Sequence, residues 1–222
     1  RVASSAWAFR LALSCILGLG WSSSPVSAAP NIVLILSDDQ GWNGTSVQMD
    51  PNVAGSKSDF YQTPRLEQRA ASGMRFSQGY AASPVCATTR AALQAGRSPA
   101  QLQLGDMPQA LPAGSARWLG SFEGLPLTPP MPAVFDPNNY TLPRIIKDAN
   151  SQYVTGHYGK WHLDVPASTT PQAVGYDMGS DPPIPADEVD PWGVFGLAGV
   201  ANNFMQDRVA NGDPFFLQVS YR

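Results

Sequence analysis

Five consecutive aliphatic residues, Ile32-Val33-Leu34-Ile35-Leu36, run straight into Ser37-Asp38-Asp39-Gln40-Gly41-Trp42. A continuous, β-branched-rich run of this kind is the pattern of a strand buried on both faces of a parallel sheet. That one segment commits the chain to helices packed over a sheet. Open α/β sheets place their ligands beyond the C-terminal ends of strands, so Asp38 and Asp39 are candidate site residues. Paired carboxylates repel unless a cation neutralises them, and hard oxygen donors suit calcium, or less readily magnesium, rather than zinc. Taken alone the pair reads equally well as an Asx-type turn. Calcium takes roughly six to eight oxygens, so two aspartates are part of a site at most.

The rest of the chain alternates helices with strands. Thr63-Pro64 opens a helix with a cap residue and a first-turn proline, and Gly73 closes it. Met74 to Phe76 reads as a returning strand. Asp106 to Asn139 is dense in proline and glycine and reads as a long surface excursion. A helix over Pro143 to Ala149 leads into strand-like Tyr153-Val154, then Gly159-Lys160-Trp161-His162. A proline-rich acidic loop, Asp181 to Pro191, precedes a helix near Gly199 to Val209. Phe215 to Arg222 reads as a buried terminal strand. This order predicts an α/β fold with a mainly parallel sheet flanked by helices. With nothing after it, the terminal strand is expected to leave Phe215, Phe216 and Leu217 poorly covered. Both ends read as those of a fragment.

At 222 residues, 43% hydrophobic and 14% charged, the chain can build one sizeable core and is too apolar for a disordered solvating protein. A net charge of −3 without a basic run argues against nucleic-acid binding. Residues 1–28 read as a signal peptide: Arg1 and Arg10 form the positive region, Leu11 to Trp21 the apolar region, and Val26-Ser27-Ala28 the cleavage site. The apolar run is too short to span a bilayer, so no stable membrane anchor is expected. The domain 29–222 is expected to be exported, to a periplasm or outside the cell.

Cleavage after Ala28 would remove Cys15 and leave Cys86 as the single cysteine, unable to close an intramolecular disulfide. Its surroundings favour chemistry over simple packing. Thr88 and Thr89 can cap a helix that Ala91-Ala92-Leu93-Gln94-Ala95 continues and Gly96 stops. Cys86 then lies just before a helix N-terminus, where anions are favoured, with Arg90 one turn on. Lys160 and His162 are further candidates, His162 as acid, base or hydrogen-bond donor. His157 and His162 are not placed on one helix face and no second cysteine joins them, which argues against zinc.

Five segments taken in order resemble the sulfatases, the arylsulfatase-like, formylglycine-dependent branch of the alkaline phosphatase superfamily. Pro30 to Gly41 resembles their opening strand, Thr63 to Phe76 the following helix and strand, and Ser83 to Arg97 the active-site signature. Gly159 to Leu163 resembles the second signature, and Pro214 to Leu217 a later core strand. The resemblance implies a truncated N-terminal catalytic domain over 29–222, incomplete at its C-terminus. It also implies a maturation enzyme that oxidises Cys86 to formylglycine. The hydrated aldehyde would attack the sulfur of a small-molecule or carbohydrate sulfate ester. Asp38, Asp39 and the Cys86-derived oxygen would ligate calcium, Arg90 hold the diol, Lys160 bridge diol and sulfate, and His162 hydrogen-bond the diol. The family pattern has proline two residues after the cysteine, where this chain has Thr88. It also continues to an Asp-Asn metal pair, a leaving-group histidine and a second sulfate-binding lysine, beyond this chain. The leading expectation is a sulfuric ester hydrolase. The alternatives are a phosphate or phosphonate ester hydrolase on the same scaffold, and an incomplete, non-enzymatic anion-binding fragment.

Overall fold

The computed structural model describes residues 29–104, 135–163, 169–180, 190 and 193–221. The expected leader (1–28), most of the 106–139 excursion and nearly all of the 181–191 loop therefore lie outside the described residues. Among the rest, four strands form one parallel sheet: β1 (Ile32–Leu36), β2 (Val154–Gly159), β3 (Met178–Ser180) and β4 (Phe215–Ser220), in the order β1-β4-β2-β3. Five helices accompany them: α1 (Pro64–Ser72), α2 (Cys86–Ala95), α3 (Pro99–Leu102), α4 (Leu142–Ala149) and α5 (Val194–Asn211). The parallel α/β architecture is the one the sequence predicts.

Strand alternation divides β4 between two helical layers. Phe215, Leu217 and Val219 pack against Leu197, Ala201 and Phe204 of α5. Phe216 faces the opposite layer, where Ala91 and Ala95 of α2 meet Phe135, Tyr153, Trp161 and Tyr176, with Leu142 and Ile146 of α4 against them. The sheet is the middle of a three-layer sandwich. Contrary to expectation, Phe215, Phe216 and Leu217 are covered, at 3%, 2% and 0% exposed, because β4 sits between β1 and β2 and not at an edge.

β1 departs from its prediction. Val33 and Ile35 are 43% and 65% exposed, since β1 is an outer strand among the described residues and α5 packs over β2 and β4. Met74 to Phe76 forms no strand; Met74 and Phe76 are exposed, and a strand without a pairing partner has no ladder to join. The last helix starts earlier than its sequence suggests. The Asp190 carboxylate accepts from the backbone N–H of Val194, Phe195 and Gly196, satisfying donors that a helix start leaves open.

Candidate active site

α2 begins at Cys86 itself, with Val85 as its N-cap residue and Gly96 in the left-handed conformation ending it at φ 61°. The expected Thr88 and Thr89 caps are corrected by this. Thr88 is already inside the first turn, buried, its hydroxyl donating to Val85 O at 2.8 Å. Thr89 ties the preceding loop down: its hydroxyl donates to Ser83 O at 2.7 Å and accepts from Ser83 N at 3.0 Å. The N–H of the third helical residue has no intrahelical acceptor, so proline and threonine both fit at Thr88, and its departure from proline leaves the helix start intact.

Cys86, Arg90 and Gln94 recur every four residues and share one face of α2. Cys86 Sγ lies 3.3 Å from His162 Nδ1. Arg90 is 3% exposed, and a buried charge requires partners. Its Nη2 donates to Asp38 Oδ1 at 3.0 Å and its Nη1 to the Lys160 carbonyl. Lys160 Nζ pairs with the other Asp38 oxygen. Burial pushes the Asp38 carboxyl up, but hydrogen bonds and charge from Lys160 and Arg90 outweigh it and hold the group below its ordinary value.

Backbone shape delivers these side chains. Gly159 ends β2 at φ 90°, where an added Cβ would lie 2.1 Å from Ser220 O. Only glycine allows that approach, and Lys160 N then donates to the same carbonyl at 2.9 Å. Trp161 turns into the core at 2% exposed, while His162, at φ 57°, reaches Cys86. Asp39 also has positive φ, 53°; Asp and His tolerate this region better than most residues. Asp39 is exposed and shares a cleft of about 250 Å³ with Ser37, Asp38, Gln40, Cys86 and Arg90. A larger cleft of about 310 Å³ beside Arg97 and Asn139 contains none of the predicted site residues.

Every predicted site residue is thus in or beside one cleft, at the C-terminal ends of β1 and β2 and the N-terminus of α2. The metal set is less complete. Asp38 and Asp39 offer hard oxygens of the right kind, but both Asp38 oxygens are engaged by cations. No group of three acidic, histidine or cysteine residues gathers around a cation position among the described residues.

The sulfatase family model matches residues 30–222. The chain belongs to the sulfatase family. It is 34% identical over 175 residues to N-acetylgalactosamine-6-sulfatase of Sus scrofa, covering 79% of this chain and 29% of that protein. It is 36% identical over 150 residues to human arylsulfatase G, covering 67% of this chain and 23% of that one. Two solved structures share the fold: yidJ of Bacteroides fragilis, at TM-score 0.59, 20% identity and coverage of 91% and 46% of the two chains, and Ps i-CgsB, at 0.57, 24%, 87% and 45%. The chain spans under a third of the length of the curated relatives named here.

The sequence reading missed the polar groups beneath this sulfatase cleft. His157 is 0% exposed, its Nε2 3.3 Å from Ser220 Oγ; burial, and then the charge of Arg90, push it down to about 3, so it is neutral. Gln94, Tyr176 and Gln218 form a further buried cluster. A glutamine in an alanine-rich helix, two turns from Cys86 on its own face, was the available signal.

Proposed function

We propose that the whole protein to which this sulfatase segment belongs hydrolyses sulfuric esters, and that Cys86 is the residue through which it reacts. The observation that supports this best is the meeting of Cys86, His162, Arg90, Lys160 and Asp38 in one cleft, drawn from three separate stretches of sequence. Converted to formylglycine by a maturation enzyme, Cys86 would supply a hydrated aldehyde whose hydroxyl would displace the ester's alcohol from sulfur, the S–O bond to the alcohol breaking as the new one forms. The site suits such a group: it is polar, stands at a helix N-terminus, and has an imidazole nitrogen within hydrogen-bond reach.

The chain's own residues bind and orient. Arg90 and Lys160 bring two positive charges to the cleft, and with the helix N-terminus they favour a bound sulfate ester. Asp38 fixes both cations from between them, so charge developing on the sulfuryl oxygens meets donors already in place. His162 holds the proton at the Cys86-derived oxygen. Asp38 and Asp39 would hold calcium, with remaining ligands from elsewhere, and the ion would neutralise charge beside the reacting group. Domain 29–222 is read as the N-terminal part of this catalytic domain, exported after removal of 1–28. No helix among the described residues is long and apolar enough to cross a membrane.

The test compares hydrolysis of an aryl sulfate and an aryl phosphate diester by the whole protein. Sulfate release should dominate, and Cys86→Ala should abolish it. Preferential phosphodiester turnover would replace this reading with the phosphoryl alternative. No turnover of either, with Cys86 converted, would leave an anion-binding module.

A further inference from the structure

Arg90 and Gln94 are both sunk against the sheet, yet the other buried residues of α2 include Ala87, Ala91, Ala92 and Ala95. Alanines give a smooth contact with few knobs to interlock, and apolar contact is non-directional. Packing of that kind does not by itself fix how far the helix is rotated or slid. Hydrogen bonds do, because they fail steeply outside a narrow range of distance and angle.

Gln94 Nε2 donates to Gln218 Oε1 at 2.9 Å and to Tyr176 Oη at 3.2 Å, and the Tyr176 hydroxyl donates to Gln218 Oε1 at 2.8 Å. All three residues are at most 3% exposed. Gln218 Nε2 continues to Ser220 Oγ at 3.2 Å, and Ser220 Oγ contacts His157 Nε2 at 3.3 Å. The line therefore runs from α2 to the middle of β4 and along it to the strand end whose carbonyl holds Lys160 N. Buried polar groups are costly unless satisfied, so displacing α2 leaves several orphaned at once.

We propose that Gln94, Tyr176 and Gln218 are positioning residues, a polar clamp that sets the rotation and height of α2 and so keeps Cys86 within reach of His162 and Arg90 within reach of Asp38. The proposal rests on reading this cleft as the reactive site, and adds that its geometry is set from beneath.

The test uses the whole protein carrying Gln94→Leu, Tyr176→Phe and Gln218→Leu together, which removes all three polar groups at similar volume and leaves no orphan among them. A displaced catalytic group costs about 10²-fold, so kcat for an aryl sulfate should fall by roughly that factor with KM changed far less. In protein made without the maturation enzyme, the rate of Cys86 alkylation by iodoacetamide should also change. The alkylation arm needs no sulfatase activity, so it separates failure of the clamp from failure of the proposed function. A folded triple variant with unchanged kcat and unchanged alkylation overturns the proposal. If the triple variant does not fold, Tyr176→Phe alone, lacking one hydroxyl, should lower kcat roughly fivefold; unchanged kcat and alkylation in that variant overturn it equally.

Discussion

β1 is written entirely in isoleucine, valine and leucine, while its parallel neighbour β4 carries Gln218 and Ser220. β4 is nonetheless buried at all six positions, and Ile35 of β1 is 65% exposed. The difference comes from what lies over and beside each strand. α5 packs on β4 and β2, helices cover their other face, and among the described residues β1 has a strand neighbour on one side only. Composition makes burial favourable, but position in the sheet decides where it happens. The candidate cleft straddles this boundary: Asp38 follows the open strand, whereas Lys160 and His162 follow a covered one. A pair of cations reaching across to Asp38 joins the two.

The largest expected effect tests the covered side. Gly159→Ala forces a Cβ against Ser220 O at a positive φ, and should cost about 4 kcal/mol or more, enough to prevent folding. A soluble variant with the parent's denaturant midpoint would show that β2 and β4 are not held this tightly. A smaller effect compares the strands directly. Leu217→Ala, at a 0% exposed residue, should cost about 2–5 kcal/mol, and Ile35→Ala only about 0.5 kcal/mol. Equal losses by urea denaturation would mean that β1 is as well covered as β4 and would break the comparison.

The third effect follows from the neutral, buried His157 of β2, whose ring meets Ser220 of β4 and packs against Trp161. Its folded-state value, about 3, lies below that of an unfolded histidine. The unfolded chain therefore takes up the proton first, and stability is lost as pH falls from about 6.5 toward 3, at up to about 1.4 kcal/mol per pH unit. His157→Gln should flatten that slope, measured as denaturation midpoints across the window. An unchanged slope would show that the strand interface admits water and that His157 titrates there as it does in the unfolded chain.

Strands β1, β2 and β4 and the helix starting at Pro64 were legible because strand runs, first-turn proline and stop glycine act locally, whereas the three-residue β3 was not. Equally legible was the set of candidate residues that the fold brings to one cleft, since Asp38, Cys86, Lys160 and His162 stand in segments with family-like patterns. What escaped the sequence depends on distant partners. Val33 and Ile35 look like core residues until the sheet order is known. Met74 to Phe76 has strand composition but no neighbour to pair with among the described residues. α5 starts early because Asp190, in a loop that looks merely acidic, caps it. Thr88 and Thr89 resemble caps, yet one bonds back into the helix and the other anchors the Ser83 loop. Of the Gln94–Tyr176–Gln218 cluster only Gln94 carried a signal, because the members lie up to 124 residues apart.

Cys86, in its oxidised form, is proposed as the reacting residue of a sulfuric ester hydrolase. The direct measurement is mass spectrometry of the tryptic peptide Phe76 to Arg90 from exported whole protein, with sulfate release assayed on the same preparation in calcium. The expected result is an aldehyde at Cys86, in a fraction of molecules that rises and falls with the rate of sulfate release. Sulfate release from protein whose Cys86 is entirely a thiol would contradict it.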